Sequence, residues 1–104
     1  MLERIENVNE QVIEKMFLLY AESMADMEGE FKNRDEMEAS YAAFLKEFIE
    51  NPKQMVFVET VEKQWVCGLR AVESEPGKWF FEAVETMPGQ RNRGYGKKLI
   101  RHVT

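Results

Sequence analysis

Cysteine and histidine occur only once each in the 104 residues, as Cys67 and His102. A single cysteine cannot form an intrachain disulfide, and it cannot supply a cysteine zinc site. Cys67 lies inside a strand-like run, so we expect a small buried side chain and not a nucleophile. His102 lies in a basic terminal segment, where we expect an exposed surface group.

Long apolar runs are also missing. No stretch approaches the roughly 20 apolar residues that a membrane-crossing helix needs. The charged start, Met1-Leu2-Glu3-Arg4, lacks the apolar core of a signal peptide. A chain that is 44% hydrophobic and this short can bury one small core. We therefore expect one soluble, cytoplasmic domain over residues 1–104, with no membrane partner.

Acidic residues are absent from the last 15 positions, although the whole chain is acidic. From Gln90 to Thr104 there are five Lys or Arg residues and no Asp or Glu. Residues 1–89 carry 9 basic and 19 acidic groups, so their net charge is −10, and the total is −5. A basic segment on an acidic body favours a polyanion of limited size and disfavours nucleic acid as a partner.

The apolar pattern predicts two helices in the first half of the chain. Spacings of three and four from Val8 to Met27 indicate one amphipathic helix, with Asn7 and Glu10 as a capping box. Asp35 and Glu38 are predicted to cap a second helix, which Asn51-Pro52 ends.

From Gln54 the period changes to that of strands. Three β-rich runs follow, at Gln54–Val61, Trp65–Val72 and Trp79–Met87. Links this short cannot hold a crossover, so the runs predict an antiparallel meander. Gly68 predicts a bulge or a close backbone approach. Alternation along the last run puts Glu82 on one face and Glu85 on the other.

The most informative stretch is residues 88–100, where a strand-like run leads into Gly94 and Gly96 and then an amphipathic helix. The first turn of a helix has unpaired N–H groups and the positive end of the macrodipole, so it suits phosphate. The glycines let a ligand approach the backbone. The nearby basic side chains are Arg91, Arg93, Lys97 and Lys98.

Other anion-binding patterns match less well. A nucleotide-binding P-loop needs Lys and then Ser or Thr after its second glycine, whereas Tyr95 follows Gly94. A dinucleotide fingerprint needs glycine or alanine at Leu99 and a parallel βαβ unit. A groove for single-stranded nucleic acid is also disfavoured, because the segment has one aromatic side chain for base stacking, Tyr95, and the rest of the chain is acidic.

The loop resembles the acyl-CoA pyrophosphate loop of the GCN5-related N-acetyltransferase (GNAT) family, whose signature is Gln or Arg, two residues, Gly, one residue, then Gly or Ala. Residues 91–96, Arg-Asn-Arg-Gly-Tyr-Gly, satisfy it, and Pro88 also matches. The resemblance implies a mixed α+β fold: a short first strand at Leu2–Ile5, two helices, a three-stranded antiparallel meander, then the phosphate loop and a helix. This is the N-terminal half of the family fold, so we expect an incomplete domain, either a fragment or a shortened homologue.

The resemblance implies an enzyme that transfers an acetyl group from acetyl-CoA to an amine of a small-molecule or peptide acceptor. An amine must lose a proton before it attacks. By family position, Glu82 is the first candidate for the base and Glu85 the second. An exposed strand carboxylate without a catalytic role explains either residue equally well.

The resemblance also implies the acetyl-CoA contacts. Main-chain groups of Val84 and Thr86 meet the pantetheine arm. The pyrophosphate meets the loop around Tyr95, through the amides of Asn92, Gly94, Gly96 and Lys97 and the side chains of Arg91 and Arg93. Lys98 and Arg101 are expected on a solvated helix face.

One alternative is a non-catalytic module that binds CoA, another phosphorylated ligand or only a partner chain. The last strand should form an open apolar edge, which includes Trp79 and Phe80. The terminal helix should expose Leu99, Ile100 and Val103. We therefore predict a homodimer with C₂ symmetry.

Overall fold

The computed structural model describes residues 1–91 and 93–103. These residues form four α-helices and one four-stranded antiparallel sheet, so the predicted mixed α+β class is confirmed. The elements in chain order are β1 (Leu2–Arg4), α1 (Glu10–Leu19), α2 (Ala21–Met27), a 3₁₀ turn (Glu28–Glu30), α3 (Arg34–Glu50), β2 (Gln54–Val61), β3 (Gln64–Glu75), β4 (Lys78–Thr86) and α4 (Tyr95–Val103). None of the described helices is long and apolar enough to cross a membrane.

The sheet is a meander in the order β1-β2-β3-β4, as the short links predict. Glu62 and Lys63 join β2 to β3 with φ of 52° and 67°, the positive values that a tight two-residue hairpin turn requires. Pro76 and Gly77 join β3 to β4, with φ of 81° at Gly77. Proline followed by a positive-φ glycine is typical of a type II turn.

Helices cover both faces of the sheet. Helices α1 to α3 cover one face, where Met16, Leu45 and Val58 are buried. Helix α4 covers the other, and Leu99 is fully buried there against Cys67 and its neighbours. The predicted burial of Cys67 is confirmed. The expectation that α4 exposes Leu99, Ile100 and Val103 is wrong, because the helix packs its apolar side onto the sheet, with Leu99 fully buried and the other two partly buried.

The single helix predicted over Val8–Met27 is wrong. The chain breaks at Tyr20 (φ −99°, ψ 33°), which separates α1 from α2. The cap is also two residues later than predicted, since the Asn9 side chain accepts a hydrogen bond from the Val12 amide at 2.9 Å. The cap of α3 is two residues earlier than the predicted Asp35, since the Asn33 side chain accepts a hydrogen bond from the Glu36 amide at 2.8 Å.

A β-bulge in β4 changes the predicted faces of that strand. Arg70 pairs with Glu82 and Gly68 with Glu85, so two residues of β4 lie opposite Leu69 alone. One of the two, Ala83, has a φ of 51°. The extra residue reverses the alternation, as bulges do.

The prediction that Glu82 and Glu85 lie on opposite faces is therefore wrong. Glu82 lies 3.4 Å from Arg70, and Glu85 accepts a hydrogen bond from Ser23 of α2 at 2.8 Å. Arg70 itself lies over Phe44 of α3. Both carboxylates are thus on the face that α1 to α3 cover.

Tyr20 and Gly68 hold the bulge in place. The Tyr20 hydroxyl donates to the Ala83 carbonyl at 2.8 Å. A Cβ at Gly68 would lie 2.8 Å from both the Tyr20 hydroxyl and Leu19 Cδ2. The predicted close approach to the Gly68 backbone is confirmed. The missing side chain at Gly68 leaves the space that Tyr20 occupies.

Strand β4 forms one edge of the described sheet. Exposed fractions are 62% for Phe80, 41% for Val84 and 36% for Trp79. The apolar edge is therefore present. Phe81, by contrast, packs against a buried cluster under α4, called the α4 cluster, which consists of Cys67, Leu69, Ala71 and Leu99. The homodimer stays a prediction.

We predict that Gly68→Ala lowers the free energy of unfolding by about 1–3 kcal/mol, because the new methyl group overpacks the Tyr20 site. Urea unfolding measures the change. Gly29→Ala is the matched control, since nothing lies within 4 Å of a Cβ there. Equal stability of the two variants would show that Gly68 is not needed for the packing of Tyr20.

Candidate functional site

The predicted phosphate loop joins β4 to the N-terminus of α4. Gly89 and Gly94 have φ of 91° and 75°, a region that glycine enters without strain. The Gly94 carbonyl accepts from the Lys98 amide at 3.0 Å, so Gly94 caps the helix. The amides of the first turn, at Tyr95, Gly96 and Lys97, consequently have no intrahelical acceptor.

The backbone around the two motif glycines is open. No heavy atom lies within 4 Å of a Cβ built on Gly94, and a Cβ on Gly96 would meet only Val84 Cγ1 at 3.8 Å. The backbone at the start of α4 is therefore not covered by neighbouring side chains at these two positions, and free first-turn amides suit a pyrophosphate.

The other predicted loop residues differ in their surroundings. Arg93 and Lys97 are exposed, and Tyr95 packs on the α4 cluster. Asn92 lies outside the described residues. Arg91 forms an ion pair with Glu22 of α2 at 2.8 Å, which ties the loop to the opposite helical layer.

The Arg91–Glu22 ion pair shifts the pKa of both of its groups. The hydrogen bond from Arg91 lowers the pKa of the Glu22 carboxyl, and the same bond raises the pKa of the arginine. The guanidinium thus has a carboxylate partner within the protein.

A buried carboxylate fixes the position of α4. Glu59 of β2 is fully buried, and its oxygens lie 3.5 Å from Lys98 Nζ and 3.1 Å from His102 Nδ1. The Met1 ammonium also contacts it at 3.1 Å. Lys98 and His102 are both exposed, as expected, but each also contacts the buried Glu59 from α4.

These contacts determine the protonation of Glu59. Burial alone would raise its pKa, but hydrogen bonds and charge from the Met1 ammonium and His102 outweigh burial, so the pKa is below the ordinary 4.5. A charged Glu59 therefore attaches two successive turns of α4 to β2. No local sequence pattern indicates this cluster, since His102 and Met1 lie 43 and 58 positions from Glu59.

A cavity of about 250 Å³ lies on the other side of β4, next to the bulge. Ala83 and Glu85 form one wall and the α2 residues Ser23 and Met24 another. A second cavity of about 320 Å³ adjoins it between α2 and α3. The bulge is thus the part of β4 that borders this space.

The two candidate bases differ in their relation to the cavity. Glu85 is partly buried in the cavity wall. Glu82 is exposed and lies outside the lining, and it pairs with Arg70. Arg70 Nε is buried and is not aligned for a hydrogen bond to Glu82.

Two tyrosines also line the cavity. Burial raises the pKa of Tyr20 far above its usual range and that of Tyr41 to about 12. Both therefore remain neutral phenols at neutral pH, and Tyr20 is committed to the Ala83 carbonyl.

Comparison with solved structures identifies the fold. An aminoglycoside 6'-N-acetyltransferase complexed with coenzyme A matches with a TM-score of 0.70 and 13% identity, over 99% of this chain and 52% of that one. An aminoglycoside acetyltransferase from an uncultured soil metagenomic sample, in complex with sisomicin, matches at 0.64 and 21%, over 99% and 66%. A chain from Staphylococcus aureus assigned to the GNAT family matches at 0.71 and 13%, over 98% and 86%.

The chain therefore has a GNAT-type fold, and the resemblance drawn from the loop motif is confirmed at the level of fold. It spans about half, 52%, of the length of the first of these acetyltransferases. No protein-family model matches the sequence, and no curated protein matches it.

We predict that Glu59→Gln lowers the free energy of unfolding at pH 7 by roughly 1 kcal/mol, since its charge-assisted bonds go to half-exposed partners. Because the folded pKa lies below 4.5, the unfolded chain takes up the proton first. The stabilisation is therefore present above that pH and is lost on acidification.

Urea unfolding at neutral pH and at roughly pH 3 tests this dependence. The difference between the wild type and Glu59→Gln should shrink in acid. Glu38→Gln is the control, because it breaks only the exposed pair with Arg34. A difference that is the same at both pH values would mean that the charge of Glu59 contributes nothing.

Proposed function

We propose that this chain binds acetyl-CoA and transfers the acetyl group to an amine. The observation that carries the proposal is the arrangement around β4. One end of the strand leads into an open helix N-terminus, and its bulge borders a cavity that contains a carboxylate. Coenzyme A bound to a neighbour of the same fold supports this choice of ligand.

Acetyl-CoA would supply an acetyl group activated as a thioester. The amides of the first turn of α4 would hold its pyrophosphate, with Gly94 and Gly96 keeping the approach clear. Strand β4 is an edge strand of the described sheet, so main-chain groups of Val84 and Thr86 are suitably placed to bind the pantetheine arm.

Glu85 is the better candidate for the base in this proposal. It lies in the cavity wall beside the bulge, and Ser23 orients it with a hydrogen bond at 2.8 Å. Glu82, the first candidate by family position, instead faces Arg70. Glu85 would accept the proton that an ammonium must lose before it reacts, directly or through one water.

The acceptor in this proposal is a small molecule. A neighbour of the same fold is known in complex with sisomicin. The cavity of about 250 Å³ beside the bulge is near the lower size limit of ligand pockets, which begin at roughly 300 Å³.

Gly96→Val should weaken CoA binding by at least about tenfold. A Cβ at Gly96 already meets Val84 Cγ1 at 3.8 Å, so a branched side chain would crowd Val84 and displace the helix N-terminus that receives the pyrophosphate. Calorimetric titration with CoA measures the affinity. Gly29→Val is the control, because Gly29 lies in the 3₁₀ turn, outside the loop, and nothing lies within 4 Å of a Cβ there. Unchanged CoA affinity in Gly96→Val would refute the loop assignment.

Glu85→Gln should lower the rate of acetyl transfer at neutral pH by about 10²-fold, the usual contribution of a general base. The loss should shrink as pH rises, because the amine then deprotonates without help. Glu82→Gln is the matched control on the same face of β4. A loss confined to Glu82→Gln would contradict the choice of Glu85, and CoA binding without transfer in the wild type would favour a binding module.

A further inference from the structure

The two adjoining cavities form one apolar site whose chemistry indicates the class of acceptor. They share four lining residues: Met24, Met27, Tyr41 and Arg70. The first cavity reaches the bulge and Glu85, and the second extends between α2 and α3. A ligand with its amine beside Glu85 would therefore extend its body toward α3.

The walls that would receive this body consist mainly of methionine and aromatic side chains. The second cavity adds Phe31, Met37 and Phe44 to the shared residues. Thioethers make favourable contacts with aromatic rings and adapt to their shape, and ring faces stack on flat apolar groups. This lining suits a planar apolar group.

Among the described residues, one of each charge sign lines the two cavities. Glu85 is the acidic one and Arg70 the basic one. Arg70 lies over the Phe44 ring, 5.2 Å from its centroid, and beside Glu82. One ammonium group would find a partner in Glu85, whereas further ammonium groups would be desolvated without one and would be repelled by Arg70.

The acidic surface near these cavities favours a cationic ligand. Asp26, Glu28 and Glu30 are exposed on α2 and the 3₁₀ turn, next to the lining residues Met27 and Phe31. They would attract a cation over a distance while the lining itself stays apolar.

The space is large enough for an aromatic ring. An apolar cavity of about 150 Å³ is enough to bind benzene, and the second cavity has about 320 Å³. One ring with a short chain fits this space.

We propose that the acceptor is a monoamine with a single-ring aromatic body, not a polycationic aminoglycoside like that bound by a neighbour of the same fold. This inference rests on the proposed function, because the cavity is a substrate site only if Glu85 faces a reacting amine. The ring lies among the α2 and α3 side chains, and the ammonium lies beside Glu85.

Calorimetric binding of 2-phenylethylamine and of sisomicin to the unmodified chain tests the inference without any variant. We expect 2-phenylethylamine to bind at least tenfold more tightly. Tighter binding of sisomicin, or no binding of 2-phenylethylamine, would overturn the proposal.

Ser40→Phe fills the second cavity from an exposed position on α3. It should weaken 2-phenylethylamine binding at least tenfold. Ala39→Phe is the matched control, because it places the same side chain on the side of α3 that faces α1 and should leave binding unchanged. Equal affinities of the two variants would place the ring elsewhere.

A separate CoA titration of the same samples distinguishes failure of this inference from failure of the proposed function. Amine binding without CoA binding supports the cavity assignment and contradicts the acetyltransferase. CoA binding together with a preference for sisomicin supports the acetyltransferase and overturns the monoamine.

Discussion

The hydrogen bond from the Tyr20 hydroxyl to the Ala83 carbonyl, 2.8 Å long, connects the helical layer to the bulge in β4. A bulge leaves a backbone carbonyl outside the regular strand pairing, and a partly buried carbonyl needs a donor. Tyr20 supplies it from the break between α1 and α2, and Gly68 provides the space. The shape of the candidate site, with Glu85 beside a cavity, depends on this contact.

Local signals predicted the features that local geometry determines. The bounds of β2 follow from its β-rich run and its turn residues, and the phosphate loop follows from Gly94 and Gly96. The bulge at Ala83 has no such signal, since alanine does not favour a φ of 51°. Once the bulge is missed, simple alternation assigns Glu85 to the wrong face. The apolar spacing did not reveal the break at Tyr20 either. Helices α1 and α2 bury side chains on the same side of the sheet, so their apolar pattern continues across the break.

Sequence patterns do not predict ion pairs between residues that lie far apart in the chain. Glu59 is one more glutamate in an acidic chain until the fold brings Lys98 and His102 to it. The pair Arg91–Glu22 likewise joins the loop to α2. The Glu59 contacts hold α4 against the sheet, and the Arg91–Glu22 pair holds the preceding loop against α2. The position of the first-turn amides therefore depends on ion pairs between residues far apart in the sequence. The fold thereby links two candidate half-sites across β4, the proposed anion site at the start of α4 and the cavity beside Glu85.

The central claim, that CoA binds along β4 and at the N-terminus of α4, is tested most directly by amide chemical shifts recorded during a CoA titration of the whole chain. We predict that the largest shifts occur at Val84, Thr86, Gly94, Gly96 and Lys97, and that the amides in the middle of α3 stay unchanged. Shifts confined to other surfaces, or none at saturating CoA, would contradict the account.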